Sequence, residues 1–440
     1  MLVMKFGGTS VGNADRIINV ANIVKFNIKR KPIVVVVSAV TKITDELIRL
    51  GKECAERKGD KILGSIRDVH YGILEQLGIG KSLLKNDLEE LSNLANKTKS
   101  NEAIDGQILD HFQSFGEIMS SKIVAEQLNK IRINAKAFNS WDLGFVTNSE
   151  FGNAEPLEAS YQKLKSSIKS LNVIPVITGF IGKTEKGEIT TLGRGGSDYT
   201  AAIIGAAIDA DEIQIWTDVD GIMSTDPKIV KGAKTIEEVS FAEASELAYF
   251  GAKVLHPKTI LPAMRKNIPV KVLNSFNPKS KGTAIVKKAE KSKMAVKAIA
   301  YKKNITLFNI ESTRMLGAYG FLARLFEVFA KHKKSVDVVS TSEVSVSLTL
   351  ENGGSIACIL AELKEIADTK VYMNKSIICV VGEGMKSKLN IPVRTFSALA
   401  KSNVHIDMIS MGASEINITF IVDSRDAEKA LKVLHKEYFG

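Results

Sequence analysis

A lysine and two glycines near the amino terminus have the types and spacing to handle a phosphate. In Lys5-Phe-Gly-Gly-Thr-Ser10 an apolar run ends in Gly7 and Gly8, and a helix is predicted to begin at Asn13 or Ala14. Glycines let backbone N–H groups approach a phosphate, and a lysine ammonium neutralises charge on a transferring phosphoryl group. The segment is not a Walker A loop, because Gly-x-x-x-x-Gly-Lys-Ser/Thr does not occur. Alone, it is equally compatible with a tight turn.

A second glycine-rich turn, Thr191-Leu-Gly-Arg-Gly-Gly-Ser-Asp-Tyr-Thr200, precedes an apolar segment predicted as a helix over 201–208. An arginine between glycines offers a planar fork for a carboxylate, and Asp198 is able to orient nearby lysines. The structural alternative is that Ser197 or Asp198 caps the helix beside a surface arginine. Together with the first turn, the pattern favours a binding role.

Two further segments are candidates for nucleotide contacts. Thr217 and Asp218 end a predicted strand and run into turns as far as Pro227. Ligands of open α/β sheets lie at the carboxyl ends of strands, so this loop is placed to hold a nucleotide. The segment Gly251-Ala-Lys-Val-Leu-His-Pro257 supplies Lys253, which spacing alone does not distinguish from a surface lysine.

The elements that must position these residues alternate along the first two thirds of the chain. Short β-branched runs are separated by segments of helical period, which predicts a mostly parallel sheet covered by helices. About seventy residues without strand character form a predicted helical insertion over 60–129. The predicted strands are 2–6, 33–38, 133–138, 173–180, 212–216 and 270–273.

Beyond a turn-rich linker at 274–282 the composition shifts and the chain repeats itself. Residues 305–350 align on 375–420 without a gap at an offset of 70 residues, since 375 minus 305 is 70. The matched pairs include Phe326 with Phe396 and Asp337 with Asp407. Each copy has the pattern strand, helix, strand, strand, helix, which predicts a ferredoxin-like β-α-β-β-α-β unit present twice.

Composition and charge exclude several classes of protein. The formal charge of +11 is diffuse, and its densest stretch, 287–297, has no aromatic residue to stack a base, so nucleic-acid binding is not expected. No apolar run reaches the ~18 residues of a membrane span, and the start lacks a signal-peptide pattern, so we expect a cytoplasmic protein without membrane contact. The six histidines and three cysteines have no spacing typical of a transition-metal site.

Taken in order, these motifs closely resemble those of aspartate kinases. They are Lys5-Phe-Gly-Gly-Thr-Ser10, Phe115-Gly-Glu117, Gly193-Arg-Gly-Gly-Ser-Asp198, Trp216-Thr-Asp-Val-Asp-Gly221 and Gly251-Ala-Lys-Val-Leu-His-Pro257. The resemblance extends to the doubled carboxyl-terminal unit, which looks like the paired ACT domains of that family. It implies an amino-acid-kinase fold over 1–280, a linker over 281–300, and two ferredoxin-like α+β ACT units over 301–373 and 374–440.

The resemblance implies that ATP, with Mg²⁺, phosphorylates L-aspartate to 4-phospho-L-aspartate, the first step of lysine, threonine and methionine synthesis. Catalysis would rest on Lys5, Asp198 and Lys253. Aspartate would be held by Ser38, Thr44, Glu117, Arg194, Gly195, Gly196 and Ser197. ATP would contact Lys5, Gly7, Gly8, Thr9, Thr217, Asp218, Met223, Lys228 and Lys253. Because aspartate's carboxylate is already ionised, positioning and charge neutralisation would suffice without a general base.

Two positions depart from the family pattern, and one region suggests a regulator. Some family members have tyrosine and arginine where this chain has Met223 and Lys228, which puts the nucleotide roles of these two residues in doubt. The first ACT-like unit looks most like that of the lysine-inhibited, single-function enzymes. The implied effector contacts are Met315, Ala318, Gly320, Phe321, Leu322, Ser335, Val336, Asp337, Ser342 and Glu343. Strand capping by these polar residues is the alternative, and threonine remains open as an effector.

Two other functions fit parts of the sequence. A related kinase acting on glutamate or acetylglutamate would share the fold, although the ACT pair and the motifs at Glu117 and Arg194 argue against it. A non-catalytic amino-acid sensor would keep the ACT units, although the intact charged residues argue against that. ACT units commonly pair edge to edge, so a homodimer is expected, with a tetramer as the alternative.

Overall fold

The computed structural model describes residues 1–55, 59–98, 104–251, 255, 257–289, 295–315, 319–352, 356–414 and 416–440. The chain divides into two compact units. The amino-terminal unit comprises 1–222, 237–241 and 254–289, and the carboxyl-terminal unit comprises 223–236, 242–253 and 290–440. Within the described ranges, no helix combines the length and apolarity needed to cross a bilayer.

The strands and helices, in chain order, are β1 Leu2–Phe6, α1 Ala14–Asn27, β2 Ile33–Val37, α2 Ile43–Ala55, α3 Asp60–Leu77, α4 Lys85–Thr98, α5 Gly106–Lys130, β3 Ala135–Phe138, β4 Val146–Thr147, α6 Ala159–Lys169, β5 Ile174–Thr178, β6 Ile181–Thr184, β7 Ile189–Thr191, α7 Gly196–Ala207, β8 Glu212–Thr217, β9 Glu238–Ser240, α8 Phe241–Tyr249, α9 Pro257–Arg265, β10 Val270–Asn274, β11 Thr283–Val286, β12 Ala298–Glu311, α10 Phe321–Lys331, β13 Val339–Thr341, β14 Ser345–Glu351, α11 Ile356–Ile366, β15 Asp368–Val381, α12 Ile391–Lys401, β16 Met408–Ser410, β17 Asn417–Asp423 and α13 Ala427–Phe439.

The main sheet of the amino-terminal unit has the order β3-β5-β2-β1-β8-β10-β11-β9 over the described strands. Strands β3, β5, β2, β1, β8 and β10 run parallel, and β11 is antiparallel to β10. Every residue of β1, β2 and β5 is buried, as expected of a parallel sheet with helices on its faces. The predicted mostly parallel sheet is therefore confirmed, with strand ends shifted by at most two residues.

The predicted helical insertion is also found and forms α3, α4 and α5, although 99–103 lie outside the described residues. Helix α5 packs in the core through Phe112, Phe115, Met119 and Ile123, which recur at helical spacing. Asp105 accepts a hydrogen bond from the Ile108 N–H at 2.8 Å and caps its start. This buried helix also carries Glu117.

In the carboxyl-terminal unit, the two long strands β12 and β15 each contribute one half to each of the two repeated units. The sheet has the order β13-β14-β12-β15-β17-β16 over the described strands. The second half of β12 pairs with the first half of β15, while Ala298 to Lys302 pair with the second half of β15. The first copy, together with the first half of β15, forms a complete β-α-β-β-α-β unit. The last strand of the second unit is supplied by residues 298–302, which precede the first copy in the sequence. The predicted boundary at 373/374 falls inside β15, and the predicted linker contains β11 and the start of β12.

Candidate active site

The strands of the main sheet bring the ends of several loops to one edge. Phe6 at the end of β1 is paired with Val37 of β2 on one side and Trp216 of β8 on the other. The Gly7 N–H donates to the Trp216 carbonyl at 3.1 Å, so the turn after β1 begins beside the end of β8. Parallel strands of this kind create ligand sites at their carboxyl edge.

A cavity of about 560 Å³ lies at this edge. All the predicted aspartate-binding residues line it, together with the predicted catalytic pair of Lys5 and Asp198 and with Gly8. The lining residues come from separate parts of the chain, within 5–8, 38–45, 113–117 and 191–198 and at Gly152 and Phe180, so only the fold brings them together. The predicted residues in its wall are Lys5, Gly8, Ser38, Thr44, Glu117, Arg194, Gly195, Gly196, Ser197 and Asp198.

Lys5 and Asp198 form an ion pair in the cavity wall. Lys5 Nζ lies 2.5 Å from Asp198 Oδ1, and the side chains are 10% and 13% exposed. Asp198 lies in the first turn of α7, which begins at Gly196. The apolar helix predicted over 201–208 is found, but it begins earlier, at Gly196. Gly195 occupies the capping position, so the alternative of a cap from Ser197 or Asp198 is wrong. The carboxylate instead holds the ammonium in place.

Glu117 presents a carboxyl group with one uncommitted oxygen. Its side chain is buried, Oε1 accepts the Ala39 N–H at 3.0 Å, and Oε2 has no hydrogen-bond partner among the described residues. Burial raises the pKa of Glu117 to about 8, against the opposing effects of the Ala39 N–H and the Lys5 charge. A buried acid of this kind has room to accept a cationic ligand group.

The arginine turn leaves its guanidinium available at the cavity. Gly193 and Gly195 have φ values of 75° and 70°, which side-chain-bearing residues rarely adopt. The exposed Arg194 between them has no ion-pair partner in the part of the chain that the structure describes. Gly196 and the buried Ser197 follow at the start of α7. The turn therefore offers a cation and a helix amino terminus to an anionic ligand.

The turn after β1 requires glycine at its second position. A Cβ atom on Gly8 would lie 2.9 Å from the Ala39 carbonyl oxygen, closer than real Cβ contacts. The Thr41 hydroxyl donates to the Gly8 carbonyl at 2.8 Å and fixes the turn against the loop after β2. The N–H groups of Gly8 and Thr9 make no backbone hydrogen bond within the described residues. They are free to bind a phosphate.

Asp110 is a buried acid that the sequence reasoning missed. Its Oδ2 accepts the N–H groups of Gly152 and Thr191, both at 2.8 Å, and its Oδ1 accepts the Thr191 hydroxyl at 2.8 Å. Gly152 and Thr191 line the cavity, and Thr191 begins the arginine turn. Asp110 thus fixes two walls of the cavity to α5. A lone acid on a helical segment gives no sequence signal for this role.

We expect Asp110→Asn to weaken aspartate binding. An amide in place of the carboxylate cannot accept all three donors, and a lost charged hydrogen bond costs on the order of 1–3 kcal/mol, so the KM for aspartate should rise roughly tenfold. Steady-state kinetics measure it. The control is Asp87→Asn, which alters another buried acid, paired with Lys122 at 2.7 Å and not lining the cavity. An equal rise in KM in both variants would contradict a local role.

The other predicted nucleotide residues lie in different places. Thr217 is the last residue of β8, and Asp218 follows it beside the turn after β1; the Thr217 hydroxyl donates to Asp218 at 3.1 Å. Met223 and Lys228 belong to the carboxyl-terminal unit, where Thr235 donates a hydrogen bond to the Met223 sulfur at 3.4 Å. Lys253 lies outside the described residues.

The predicted effector residues lie in the first copy of the repeat, except Ala318, which is outside the described residues. Asp337 is already paired: Lys302 Nζ lies 3.1 Å from each of its oxygens, and the Tyr249 hydroxyl donates to it at 3.2 Å. The remaining members are the buried Phe321, the partly buried Met315 and Val336, and the exposed Gly320, Leu322, Ser335, Ser342 and Glu343. Gly320 occupies the capping position of α10 with a φ of 74°.

Comparison with known proteins finds a family match in each of the two units. Residues 1–274 match the amino acid kinase family, and residues 378–438 match an ACT domain. Chloroplastic aspartokinase 3 of Arabidopsis thaliana is 41% identical over 99% of this chain and 81% of its own length. Lysine-sensitive aspartokinase 3 of Escherichia coli is 38% identical over 100% and 99%. The crystal structure of E. coli aspartokinase III in complex with aspartate and ADP (R-state) has a TM-score of 0.84, with 36% identity and full coverage of both chains.

Proposed function

Because this chain belongs to the aspartokinase family, we propose that its site transfers the γ-phosphoryl group of ATP to the β-carboxylate of L-aspartate. The products are 4-phospho-L-aspartate and ADP, and the reaction begins biosynthesis of the aspartate-derived amino acids. The observation that carries the proposal is the cavity in which the Lys5–Asp198 pair and the uncommitted Glu117 oxygen lie together.

The charges of the cavity wall complement aspartate. Glu117 is suited to the α-ammonium and Arg194 to a carboxylate, with Ser38, Thr44 and Ser197 as hydroxyl donors. The β-carboxylate oxygen then attacks the γ-phosphorus while the bond to ADP breaks. The attacking group is already ionised, so the protein orients it and neutralises the charge that spreads over the phosphoryl oxygens.

Lys5 has the position to provide that neutralisation. Asp198 holds its ammonium next to the turn after β1. Within the described ranges, the Gly8 and Thr9 N–H groups of that turn have no backbone hydrogen-bond partner. A fixed cation in a shielded site stabilises a developing anion without reorganisation during the reaction. Asp198 is then a positioning residue for Lys5, and Lys253 remains a predicted second cation.

ATP requires Mg²⁺, and the side chains available in the protein determine which groups coordinate that ion. No cluster of three or more histidine, cysteine, aspartate or glutamate side chains occurs in the part of the chain described. We propose that the nucleotide phosphates and water supply most Mg²⁺ ligands, as is common for this cation, which offsets phosphate charge.

Coupled measurement of ADP release with aspartate and with glutamate tests the proposed function. We expect turnover with aspartate and little with glutamate, whose side chain is one methylene longer. Preference for glutamate or acetylglutamate would replace the assignment with a related acyl-phosphate kinase. Absence of turnover with any of these amino acids would favour a non-catalytic sensor.

We further propose that lysine is the effector and binds the first copy of the repeat. The lysine-sensitive E. coli relative supports this proposal, as does the acidic Asp337, whose present partner is itself a lysine ammonium. The repeat supplies a matched control, because Asp407 of the second copy also pairs with a lysine, Lys375, at 2.9 Å.

Isothermal titration with lysine measures this binding. We expect heat from wild type and from Asp407→Ala, and at least a tenfold weaker association for Asp337→Ala because a charged hydrogen bond is lost. Equal loss in both variants would show that the two aspartates only stabilise the sheet. Heat from threonine instead of lysine would change the effector.

We propose a homodimer formed through the ACT units. The carboxyl-terminal unit exposes large apolar side chains, among them Tyr319 at 101%, Leu389 at 95% and Val393 at 65%, which a second copy would cover. Sedimentation equilibrium distinguishes a dimer from a monomer or a tetramer.

A further inference from the structure

Lys42 has a left-handed backbone conformation that no helix end or strand irregularity explains. Among the described residues other than glycine, nine have a positive φ. Five of them lie two residues beyond the end of a helix, where this conformation commonly terminates the helix. These five are Arg132, Asp209, Asn267, Lys333 and Asn403. Asn304 and Asn374 lie inside β12 and β15, where the pairing register shifts. The remaining two, Lys42 with a φ of 67° and Phe180 with a φ of 66°, both line the cavity.

Lys42 adopts this conformation directly before a helix, where an extended residue is usual. Helix α2 begins at Ile43, and the Lys42 carbonyl accepts the Glu46 N–H at 3.1 Å, as the carbonyl of the residue before a helix does. Such a residue normally has an extended backbone and a short polar side chain. Residues in sparsely populated backbone conformations cluster at functional sites, where the surrounding structure maintains the strain. The conformation of Lys42, together with its place in the cavity wall, therefore indicates a functional role.

The loop that carries Lys42 contacts both the turn after β1 and the buried acid Glu117. The Ala39 N–H donates to Glu117 Oε1 at 3.0 Å, on the side of the cavity suited to an ammonium group. Two residues further on, the Thr41 hydroxyl donates to the Gly8 carbonyl at 2.8 Å. Lys42 follows Thr41 directly, so it belongs to the part of the loop that is bound to the turn with free N–H groups.

The charges of the cavity wall leave Lys42 available to an anionic ligand group. The described part of the wall contains three cationic side chains, those of Lys5, Lys42 and Arg194. Lys5 is paired with Asp198, so the two together contribute no net charge. Arg194 is suited to a carboxylate of aspartate. Lys42 is exposed and has no ion-pair partner over the ranges that the structure describes. It is therefore the wall cation still available to the negative charge of a γ-phosphoryl group.

We propose that Lys42 is a further catalytic residue, whose ammonium binds the γ-phosphoryl group of ATP during its transfer to aspartate. The inference rests on the proposed function and adds to it a residue outside the motifs that carry the family resemblance. Lys42 supplies the net positive charge that the neutral pair of Lys5 and Asp198 does not. A cation in this place stabilises the charge that spreads over the phosphoryl oxygens, and it does so by an ion pair, without a covalent bond or a proton transfer.

Lys42→Asn tests the proposal, because asparagine tolerates the left-handed conformation but carries no charge. We measure the binding of two nucleotides by calorimetric titration with Mg²⁺: the β,γ-imido analogue of ATP, and ADP, which lacks the γ-phosphoryl group. The analogue should bind about fivefold more weakly than to wild type, while the affinity for ADP stays within about twofold. In steady-state kinetics kcat should fall about tenfold, with little change in the KM for aspartate. Lys42→Arg keeps the charge and should remain within about threefold of wild type in each measurement.

The matched control is Lys333→Asn. Lys333 is also an exposed lysine with a positive φ, of 52°, but it lies beyond the end of α10 in the carboxyl-terminal unit and does not line the cavity. The substitution is the same and the backbone conformation is similar. We expect nucleotide binding and kcat to remain as in wild type. An equal effect in the two variants would overturn the proposal in favour of a general effect of surface charge.

The outcomes separate this inference from the proposed function. If wild type phosphorylates aspartate but Lys42→Asn binds the analogue and ADP equally weakly, or binds both as wild type does, the role of Lys42 is wrong and the function stands. A rise confined to the KM for aspartate would assign the ammonium to a carboxylate and would also overturn the proposal. If wild type transfers no phosphate to aspartate, the proposed function fails, and the comparison of the analogue with ADP still decides whether Lys42 binds a γ-phosphoryl group. A wild type that binds neither nucleotide would overturn both.

Discussion

Replacing Lys5 by methionine should reduce kcat by about a hundred- to a thousandfold while leaving the KM for aspartate nearly unchanged. The buried ammonium faces a cavity suited to phosphoryl transfer, and loss of one preorganised donor to a developing anion has an effect of this size. Methionine is unbranched and one atom shorter than lysine, so it keeps most of the apolar packing of the side chain and removes the charge. Initial rates of ADP release, measured with saturating aspartate and ATP, determine kcat.

Stability must be separated from catalysis in this variant, because Lys5→Met leaves the carboxylate of Asp198 buried without its counter-ion. Loss of one partner of a buried pair is strongly destabilising, whereas replacing both is often neutral. The double variant Lys5→Met/Asp198→Asn should therefore recover much of the lost thermal stability and none of the activity. Recovery of kcat in the double variant, or a Lys5→Met enzyme within tenfold of wild type, would contradict the role given to Lys5.

The sequence was most informative where a local pattern determines the structure. The run Ile33–Val37 predicted a buried strand because valines and isoleucines without alternation suit a parallel sheet covered on both faces. The glycine turns were recognisable because they need backbone shapes that few residues adopt, as at Gly193 and Gly195. The short strands β4, β6, β7, β9 and β11 were missed, since two to four residues contain too little periodicity.

Pairings between distant parts of the chain could not be predicted. Nothing local indicates that Asp110 accepts donors from Gly152 and Thr191, or that the loop after Met223 is fastened to His435. The same limit applies to the repeat, whose second copy completes its sheet with residues before the first copy. An offset of 70 identifies similar segments but contains no information on which strands pair.

Binding of aspartate at pH 7 should release close to one proton from Glu117. With a pKa of about 8 in the free protein, this buried carboxyl is mostly protonated at pH 7. An ammonium group beside Oε2 favours the ionised form, so the proton leaves when aspartate binds. Calorimetric titration in phosphate and in Tris, whose ionisation enthalpies differ, counts the protons released. Heats that do not depend on the buffer at pH 7 would contradict the assignment.

The direction in which aspartate affinity changes with pH follows from the same coupling between binding and proton release. The folded-state pKa of Glu117 lies above its ordinary value of 4.5, so the free protein retains a proton that must be lost when aspartate binds. The affinity for aspartate should therefore rise with pH up to about 8 and then level off. For the same reason the unliganded fold loses stability as pH rises through this range. At pH 9, one unit above this pKa, the release should fall to about a tenth of a proton, which serves as the internal control.

Glu117→Gln should remove both the proton release and the pH dependence of aspartate binding, because an amide does not titrate. Its affinity for aspartate should fall roughly tenfold to a hundredfold, as expected when a charge-assisted hydrogen bond is lost, and should no longer depend on pH in this window. The unliganded variant should also keep its thermal stability between pH 7 and 9, where wild type must ionise a buried acid. If Glu117→Gln still releases a proton when aspartate binds, the titrating group lies elsewhere in the cavity. If the variant loses the proton release but keeps its affinity for aspartate, Glu117 lies near the ammonium without binding it.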